Sequence, residues 1–266
     1  MPSQKRQRQR AGQQARRQTL LAQQKRARQR KMFIRYGAIA AVVAIILAVL
    51  ALNSGGKSKK TNVTSSSTSS TSTTLAAASY GTTACPPTDG SAPRTTTFGD
   101  SFKKCIDPAK TYTATMQFDA GTVTIALDAK SSPITVNSFV ALSRYHFYDG
   151  LTCHRVIKKF VDQCGDPKGD GSGGPGFTIG EEPPKSGKYS IGDLAMAKTS
   201  AAHSTGSQFF LIVGDQGAAL PAQYSLLGTI TSGVDVAHAI EADGADQDPS
   251  PPKVVHKIVK VTISET

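Results

Sequence analysis

The chain has 266 residues, with 31 Lys or Arg against 19 Asp or Glu, and a formal net charge of +12. Twelve of the basic residues and no acidic ones lie within residues 1–35, so the rest of the chain is electrically balanced. This distribution excludes a uniformly basic nucleic-acid-binding protein. An RNA-binding arm is the alternative for residues 1–31, but a solvated basic tail near anionic lipid is favoured, and we expect no nucleic-acid partner.

An uncharged apolar run, YGAIAAVVAIILAVLAL, occupies residues 36–52. Together with Phe33 and Ile34 it approaches the ~20 residues that a membrane-spanning helix needs. A cleavable signal peptide is the alternative, although the preceding basic region is long and no convincing small-x-small cleavage site follows. We therefore expect a single-pass anchor in the cell membrane, with residues 1–35 in the cytoplasm and the rest of the chain outside.

The segment after the anchor changes composition twice. Residues 53–84 are rich in Ser and Thr, which predicts a disordered linker that holds the following domain away from the membrane. Residues 85–110 form a Pro- and Gly-containing lead-in bracketed by Cys85 and Cys105. Four cysteines in an exported segment indicate two disulfides, and a Cys85–Cys105 pair would contribute about 3 kcal/mol. A metal site is disfavoured because no His lies nearby.

Strand patterns begin at Thr111. The runs YTATMQF and TVTIALD alternate apolar and polar residues on either side of residues 119–121, which indicates a β-hairpin. Further strands are indicated by four runs: YSIGDLAMA, SQFFLIV, YSLLGTI and VVHKIVKVTI.

Two helices interrupt these strands. Ser132 is a candidate N-cap and Pro133 a candidate first residue of a helix that buries Val136, Phe139 and Val140 on one face. A second, shorter helix is predicted over residues 234–241 and is ended by Gly244. Many short strands with two isolated helices predict an all-β barrel or sandwich.

The run CHRVIKKFVDQCGD, residues 153–166, predicts a hairpin with an arginine and a glutamine among apolar neighbours. A regular two-residue turn at Lys158 and Lys159 would place Arg155 opposite Asp162, where a cross-strand ion pair could form. That register also puts Arg155 and Gln163 on opposite faces, so both reach one groove only if the hairpin is bulged or strongly twisted.

The same register would place Cys153 opposite Cys164. We expect a disulfide across the hairpin, with two free thiols as the alternative. A zinc site built from these cysteines with His154 and His203 is disfavoured because the spacing fits no common pattern, and no metal is expected.

Three separated segments carry a family resemblance: HRVIKKFVDQCGDP, AMAKTSAAHSTGSQFFLIV and AALPAQYSLLGTI. They resemble the active-site segments of the cyclophilins, which are peptidyl-prolyl cis-trans isomerases. The resemblance covers roughly residues 111–265 and implies an isomerase domain over residues 111–266. It implies an eight-stranded antiparallel barrel capped by two helices, with a shallow groove on one side.

Carried over by position, the resemblance makes Arg155 the catalytic arginine and Gln163 the glutamine beside it. The substrate-binding positions that it implies are Phe160, Val161, Met196, Ala197, Gln208, Phe210, Leu220 and Tyr224. Two positions depart from the family pattern, because Ala219 stands where many eukaryotic members have tryptophan and Tyr224 stands in place of the usual histidine. The first departure weakens the expectation of tight cyclosporin binding, and the second keeps an aromatic edge with a hydrogen-bonding group.

These residue types suit rotation about an X-Pro bond, whose barrier is ~18–20 kcal/mol. Twisting the bond localises a lone pair on the prolyl nitrogen, and a guanidinium interacts more strongly with that state than with either planar isomer. The chemistry requires no cofactor, so we expect none. The expected partners are proline-containing exported polypeptides, bound by a monomer anchored through residues 36–52. The alternative is a non-catalytic binding module or chaperone for proline segments.

Overall fold

The computed structural model of the protein describes residues 79–266. The predicted basic tail (1–35), the anchor (36–52) and most of the linker (53–84) lie outside the described residues. Within residues 79–266, every helix is too short or too polar to cross a bilayer.

The described chain forms one curled eight-stranded sheet with three helices, and every neighbouring pair of strands is antiparallel. The strands are β1 (Tyr112–Phe118), β2 (Gly121–Leu127), β3 (Arg155–Ile157), β4 (Val161–Cys164), β5 (Asp193–Met196), β6 (Phe209–Ile212), β7 (Leu226–Ser232) and β8 (Ile258–Glu265). The helices are α1 (Pro133–Arg144), α2 (Asp215–Ala218) and α3 (Val234–Ala242). The spatial order of the strands is β3-β4-β6-β5-β7-β2-β1-β8.

The two ends of this sheet are bridged. Thr152, just before β3, pairs with Lys257, just before β8, and the Cys153 N–H donates to the His256 carbonyl at 3.0 Å. The predicted eight-stranded antiparallel sheet and both predicted helices are therefore confirmed, whereas the short helix α2 was not predicted.

Helix α1 begins as predicted at Pro133, but its amino terminus is stabilised by a distant residue. Ser132 makes no side-chain cap; its hydroxyl donates instead to the Glu182 carbonyl. The Glu182 carboxylate accepts the free N–H groups of Ile134 at 3.2 Å and Thr135 at 2.7 Å. A carboxylate at this end of a helix also complements the helix dipole.

Side-chain alternation along β6 divides the interior into two apolar clusters. Phe209 and Leu211 point into the main core, which also contains the buried face of α1. Phe210 and Ile212 point to the other face, where they join a smaller cluster. Because successive side chains of a strand lie on opposite faces, one short strand supports both clusters.

The lead-in before β1 packs into the main core. Phe98, Phe102 and Ile106 belong to the same buried cluster as the sheet, and the Phe102 ring meets Phe177 edge-on at 5.6 Å between centroids. The predicted disulfide between Cys85 and Cys105 is present. Residues 85–110 are therefore part of the folded domain that the sequence places after Thr111.

We expect Phe102→Ala to lower the free energy of unfolding by about 3–5 kcal/mol, because a phenylalanine that is 1 % exposed would leave a cavity in the core. Chemical denaturation measures this change. Val254→Ala, at a side chain that is 48 % exposed, is the control and should change stability by less than about 0.5 kcal/mol. Equal losses in both variants would contradict the assignment of the lead-in to the cooperative core.

Candidate active site

The β3–β4 hairpin has a different register from the predicted one. Arg155 pairs with Gln163 and Ile157 with Val161, so the loop has three residues and not two. Lys159 at its centre has φ of 62°, a conformation that few non-glycine residues adopt, and its N–H donates to the Glu241 carboxylate of α3 at 2.7 Å. The extra loop residue shifts the ladder by one position, so Arg155 and Gln163 share one face without a bulge.

This register rules out the alternative cross-strand ion pair between Arg155 and Asp162 that a two-residue turn would allow. Asp162 pairs with Val156 and lies on the opposite face of the hairpin from the arginine. The disulfide between Cys153 and Cys164 is present, but not for the predicted reason. The observed ladder continues with Thr152 paired to Asp166, so the two cysteines are diagonal and not directly opposite.

The register aligns a single row of side chains across five strands. Arg155 on β3 pairs with Gln163 on β4, Gln163 with Phe210 on β6, Phe210 with Ala195 on β5, and Ala195 with Leu226 on β7. All five lie on the face opposite the main core. The row changes from polar to apolar along its length, so a cation lies at one end of a hydrophobic surface.

The guanidinium of Arg155 is held by three partners. Its Nη1 donates to Gln163 Oε1 at 3.0 Å, while Nε and Nη2 donate to the two carboxylate oxygens of Asp248 at 3.1 and 2.8 Å. Its central carbon lies 5.3 Å from the centroid of the Phe160 ring, within the range of a cation–π contact. Hydrogen bonds therefore hold the guanidinium along its edge, and an aromatic ring holds it on its face.

The amide chain continues beyond Gln163. Gln163 Nε2 donates to Gln208 Oε1 at 2.9 Å, and Gln208 Nε2 donates to the carbonyls of Gly171 and Gly173 at 3.0 and 2.9 Å. Because each amide group both donates and accepts, the position of Arg155 is linked to the glycine-rich segment of residues 171–178. That segment forms, with Gln163, Gln208 and Ala197, part of the wall of a cavity of about 620 Å³.

The apolar half of the site is the smaller hydrophobic cluster. Its buried members are Val161, Tyr189, Ala195, Phe210 and Ile212. Partly buried side chains that pack on it include Phe160, Ala197, Leu220 and Tyr224. The Phe210 and Tyr224 rings meet edge-on with their centroids 5.4 Å apart, and Phe210 lies two strands away from Arg155 in the same row.

Two residues at the site escaped the sequence analysis. Tyr189 exchanges two hydrogen bonds with the Tyr224 backbone, at 2.7 and 2.9 Å, and its burial raises its pKa to about 12. Asp248 binds Arg155 from 93 positions away in the sequence. No local pattern marks either residue, because each reaches the site through the tertiary fold.

One predicted substrate-binding side chain lies elsewhere. Met196 is fully buried in the main core, since it follows Ala195 on β5 and points to the opposite face. The structure brings the other predicted site residues together around the row: Arg155, Gln163, Phe160, Val161, Ala197, Gln208, Phe210, Leu220 and Tyr224. Ala219 is exposed at the end of α2.

The fold and the site together define an antiparallel β protein with an arginine at one end of a polar-to-apolar row on its outer face. Residues 113–263 match the family model of the cyclophilin type peptidyl-prolyl cis-trans isomerase/CLD, and the chain belongs to this family.

Named relatives agree with this assignment. The chain is 37% identical over 161 residues to the probable peptidyl-prolyl cis-trans isomerase B of Mycobacterium tuberculosis, which covers 54% of this chain and 51% of the relative. It is 39% identical over 120 residues to the peptidyl-prolyl cis-trans isomerase B of Bacillus subtilis, over 45% of this chain and 82% of the relative. The chain thus spans about half the length of the mycobacterial relative that it matches.

Solved structures agree in fold. A crystal structure of a Cryptosporidium parvum cyclophilin type peptidyl-prolyl cis-trans isomerase superposes with a TM-score of 0.54 at 24% identity, over 59% of this chain and 99% of the other. A second structure of that protein, in the presence of the dipeptide Ala-Pro, superposes with a TM-score of 0.53 at 26% identity, over 58% of this chain and 99% of the other.

Asp162, next to Gln163 on β4, is a fully buried acidic residue. It lies in the inward-facing row with Val156 and Leu211, and neither of its carboxylate oxygens has a hydrogen-bond partner within residues 79–266. Burial, reinforced by the negative charge of Glu241, raises the pKa of its carboxyl to about 8. The carboxyl is therefore mostly protonated in the folded protein at neutral pH.

We expect Asp162→Asn to flatten the pH dependence of stability. An acid whose pKa is raised on folding stabilises the fold fully below its unfolded pKa of 3.8, and this contribution is lost as the pH rises toward about 8. The difference in free energy of unfolding between parent and variant should change by on the order of 5 kcal/mol across this window.

Urea unfolding at several pH values measures that difference and cancels the groups that both proteins share. A difference that stays constant between pH 4 and pH 8 would show that Asp162 is solvated or paired in the folded protein.

Proposed function

We propose that the protein accelerates cis–trans rotation of X-Pro peptide bonds in exported polypeptides. The observation that carries this proposal is the row in which Arg155 pairs with Gln163, and Gln163 with Phe210, on the outer face of the sheet. Membership of the cyclophilin family and the isomerase names of its relatives support the same activity.

The smaller apolar cluster suits the pyrrolidine ring of a proline. Phe210 is a buried member of it, 4 % exposed, and the half-buried Phe160 and Leu220 pack on the same cluster. A ring held there leaves the preceding carbonyl free to swing. The presence of the dipeptide Ala-Pro in the second Cryptosporidium cyclophilin structure is consistent with such a ligand in that protein.

Arg155 would supply the rate enhancement. Rotation localises the lone pair of the prolyl nitrogen, and N–H donors close to it lower the energy of the twisted state more than that of the planar isomers. Because Gln163 and Phe160 already hold the guanidinium, little reorganisation accompanies the twist. General acid–base chemistry is not needed, since no covalent bond breaks.

Action outside the membrane is part of this proposal. Both cysteine pairs, Cys85–Cys105 and Cys153–Cys164, are disulfides, and stable disulfides are typical of extracytoplasmic proteins. The apolar run of residues 36–52 would tether the domain to the cell membrane, with its amino terminus in the cytoplasm.

Arg155→Ala should lower kcat/KM for a proline tetrapeptide by about 10²-fold or more, because the donor to the twisted bond is lost. Peptide affinity should fall only modestly, since the apolar cluster remains. Rates are measured by NMR exchange spectroscopy on the full-length chain, and affinity by titration of the same peptide.

Arg94→Ala is the matched control, since Arg94 belongs to the lead-in and its Nε donates to the carbonyl of Asp149, which is not a residue of the site. Its rate should equal that of the parent. Peptide binding without any turnover in the parent chain would favour a non-catalytic proline-binding module, and equal rates in the parent and Arg155→Ala would refute the role of the arginine.

A further inference from the structure

Asp248 makes the most extensive contact with the arginine of the site. It lies between α3 and β8, in the exposed segment of residues 246–250, and its two carboxylate oxygens accept from Nε and Nη2 of Arg155 at 3.1 and 2.8 Å. The side chains are 30% and 46% exposed for Arg155 and Asp248 respectively. The segment that carries Asp248 lies outside the three sequence segments that define the site.

This contact decides which donors of the guanidinium remain for a substrate. An arginine has five N–H donors in one plane. Asp248 and Gln163 together occupy three of them, which leaves one on each terminal nitrogen. A bidentate carboxylate fixes the plane of the guanidinium, whereas the single bond to Gln163 alone would leave it free to rotate.

The pair differs from an ordinary ion pair on the surface. Such pairs contribute little, because two flexible side chains must be ordered against solvent. Arg155 also packs its face on Phe160 and donates from Nη1 to Gln163. Several contacts therefore offset the entropic cost of ordering this side chain. The hydrogen bonds from Arg155 lower the pKa of Asp248 below its usual value, so the carboxylate is ionised at neutral pH.

The same segment contains an ordinary pair for comparison. Asp246 lies 3.4 Å from Lys158, and its side chain is 74% exposed. Asp246 and Asp248 therefore carry the same charge on the same segment, but only Asp248 binds Arg155.

We propose that Asp248 is a positioning residue that orients Arg155 toward the twisted X-Pro bond. This inference rests on the proposed isomerase function. Because the carboxylate holds the guanidinium before substrate arrives, the two remaining donors need not reorient as the bond twists. Asp248 thus acts through Arg155 and lowers the barrier without touching the proline.

The test compares Asp248→Asn with Asp246→Asn in the full-length chain, using an uncharged proline tetrapeptide. Asp248→Asn should lower kcat about tenfold and leave KM within about twofold, because the lost interaction matters in the twisted state. Asp246→Asn should leave both within about twofold. Asp248→Glu keeps the charge and should recover part of the rate.

Two further measurements separate positioning from general loop structure. The Arg155 Nε–H should give a slowly exchanging NMR cross-peak in the parent that is lost in Asp248→Asn and kept in Asp246→Asn. Added salt should slow the parent, because this partly exposed pair is screened, and should have little effect on Asp248→Asn.

Each other outcome overturns the proposal. An unchanged or higher kcat in Asp248→Asn would make the contact neutral or inhibitory, and equal losses in both Asn variants would assign the effect to the charge of the segment. If the parent turns over no peptide, the proposed function fails. In that case an Nε–H signal retained in Asp248→Asn would separately refute the claim that Asp248 holds the guanidinium.

Discussion

One hydrogen-bonded row determines the arrangement of the site. Because Arg155, Gln163, Phe210 and Ala195 pair in sequence across β3, β4, β6 and β5, their side chains share the outer face of the sheet. Shifting the β3–β4 ladder by one residue would turn the arginine away from the glutamine and the phenylalanine. The position of the cation beside the apolar surface is therefore a property of strand register more than of any single side chain.

That register is maintained by contacts from distant parts of the chain. Glu241 of α3 accepts the N–H of Lys159 at the tip of the hairpin, the disulfide at Cys164 ties its base, and Asp248 binds the outer face through Arg155. The inner face carries the buried carboxyl of Asp162, which costs stability as the pH rises. The hairpin is thus held at its tip, its base and its outer face, and the buried carboxyl on its inner face destabilises it.

The sequence predicted the local elements of this fold and both disulfides, but not the contacts that set the register of the β3–β4 hairpin. The β1–β2 hairpin, the start of α1 at Pro133 and the extent of α3 follow from alternation, proline and glycine signals that lie within a few residues. The β3–β4 register did not follow, because the left-handed Lys159 depends on Glu241 of another element. Met196 was misplaced because a family match assigns positions and not the direction of a side chain.

The lead-in has a mechanical consequence. The Phe98 N–H donates to the Pro175 carbonyl at 2.8 Å, and Phe102 packs on Phe177, so the lead-in supports the glycine-rich wall of the cavity beside Gln208. Tension applied to the chain before residue 79 would first load the hydrogen bonds that join residues 81–83 to residues 100–103, and beyond Cys85 it would pass through the disulfide to Cys105. That covalent link bypasses residues 86–99, so the part of the lead-in that contains Phe98 carries little of the load.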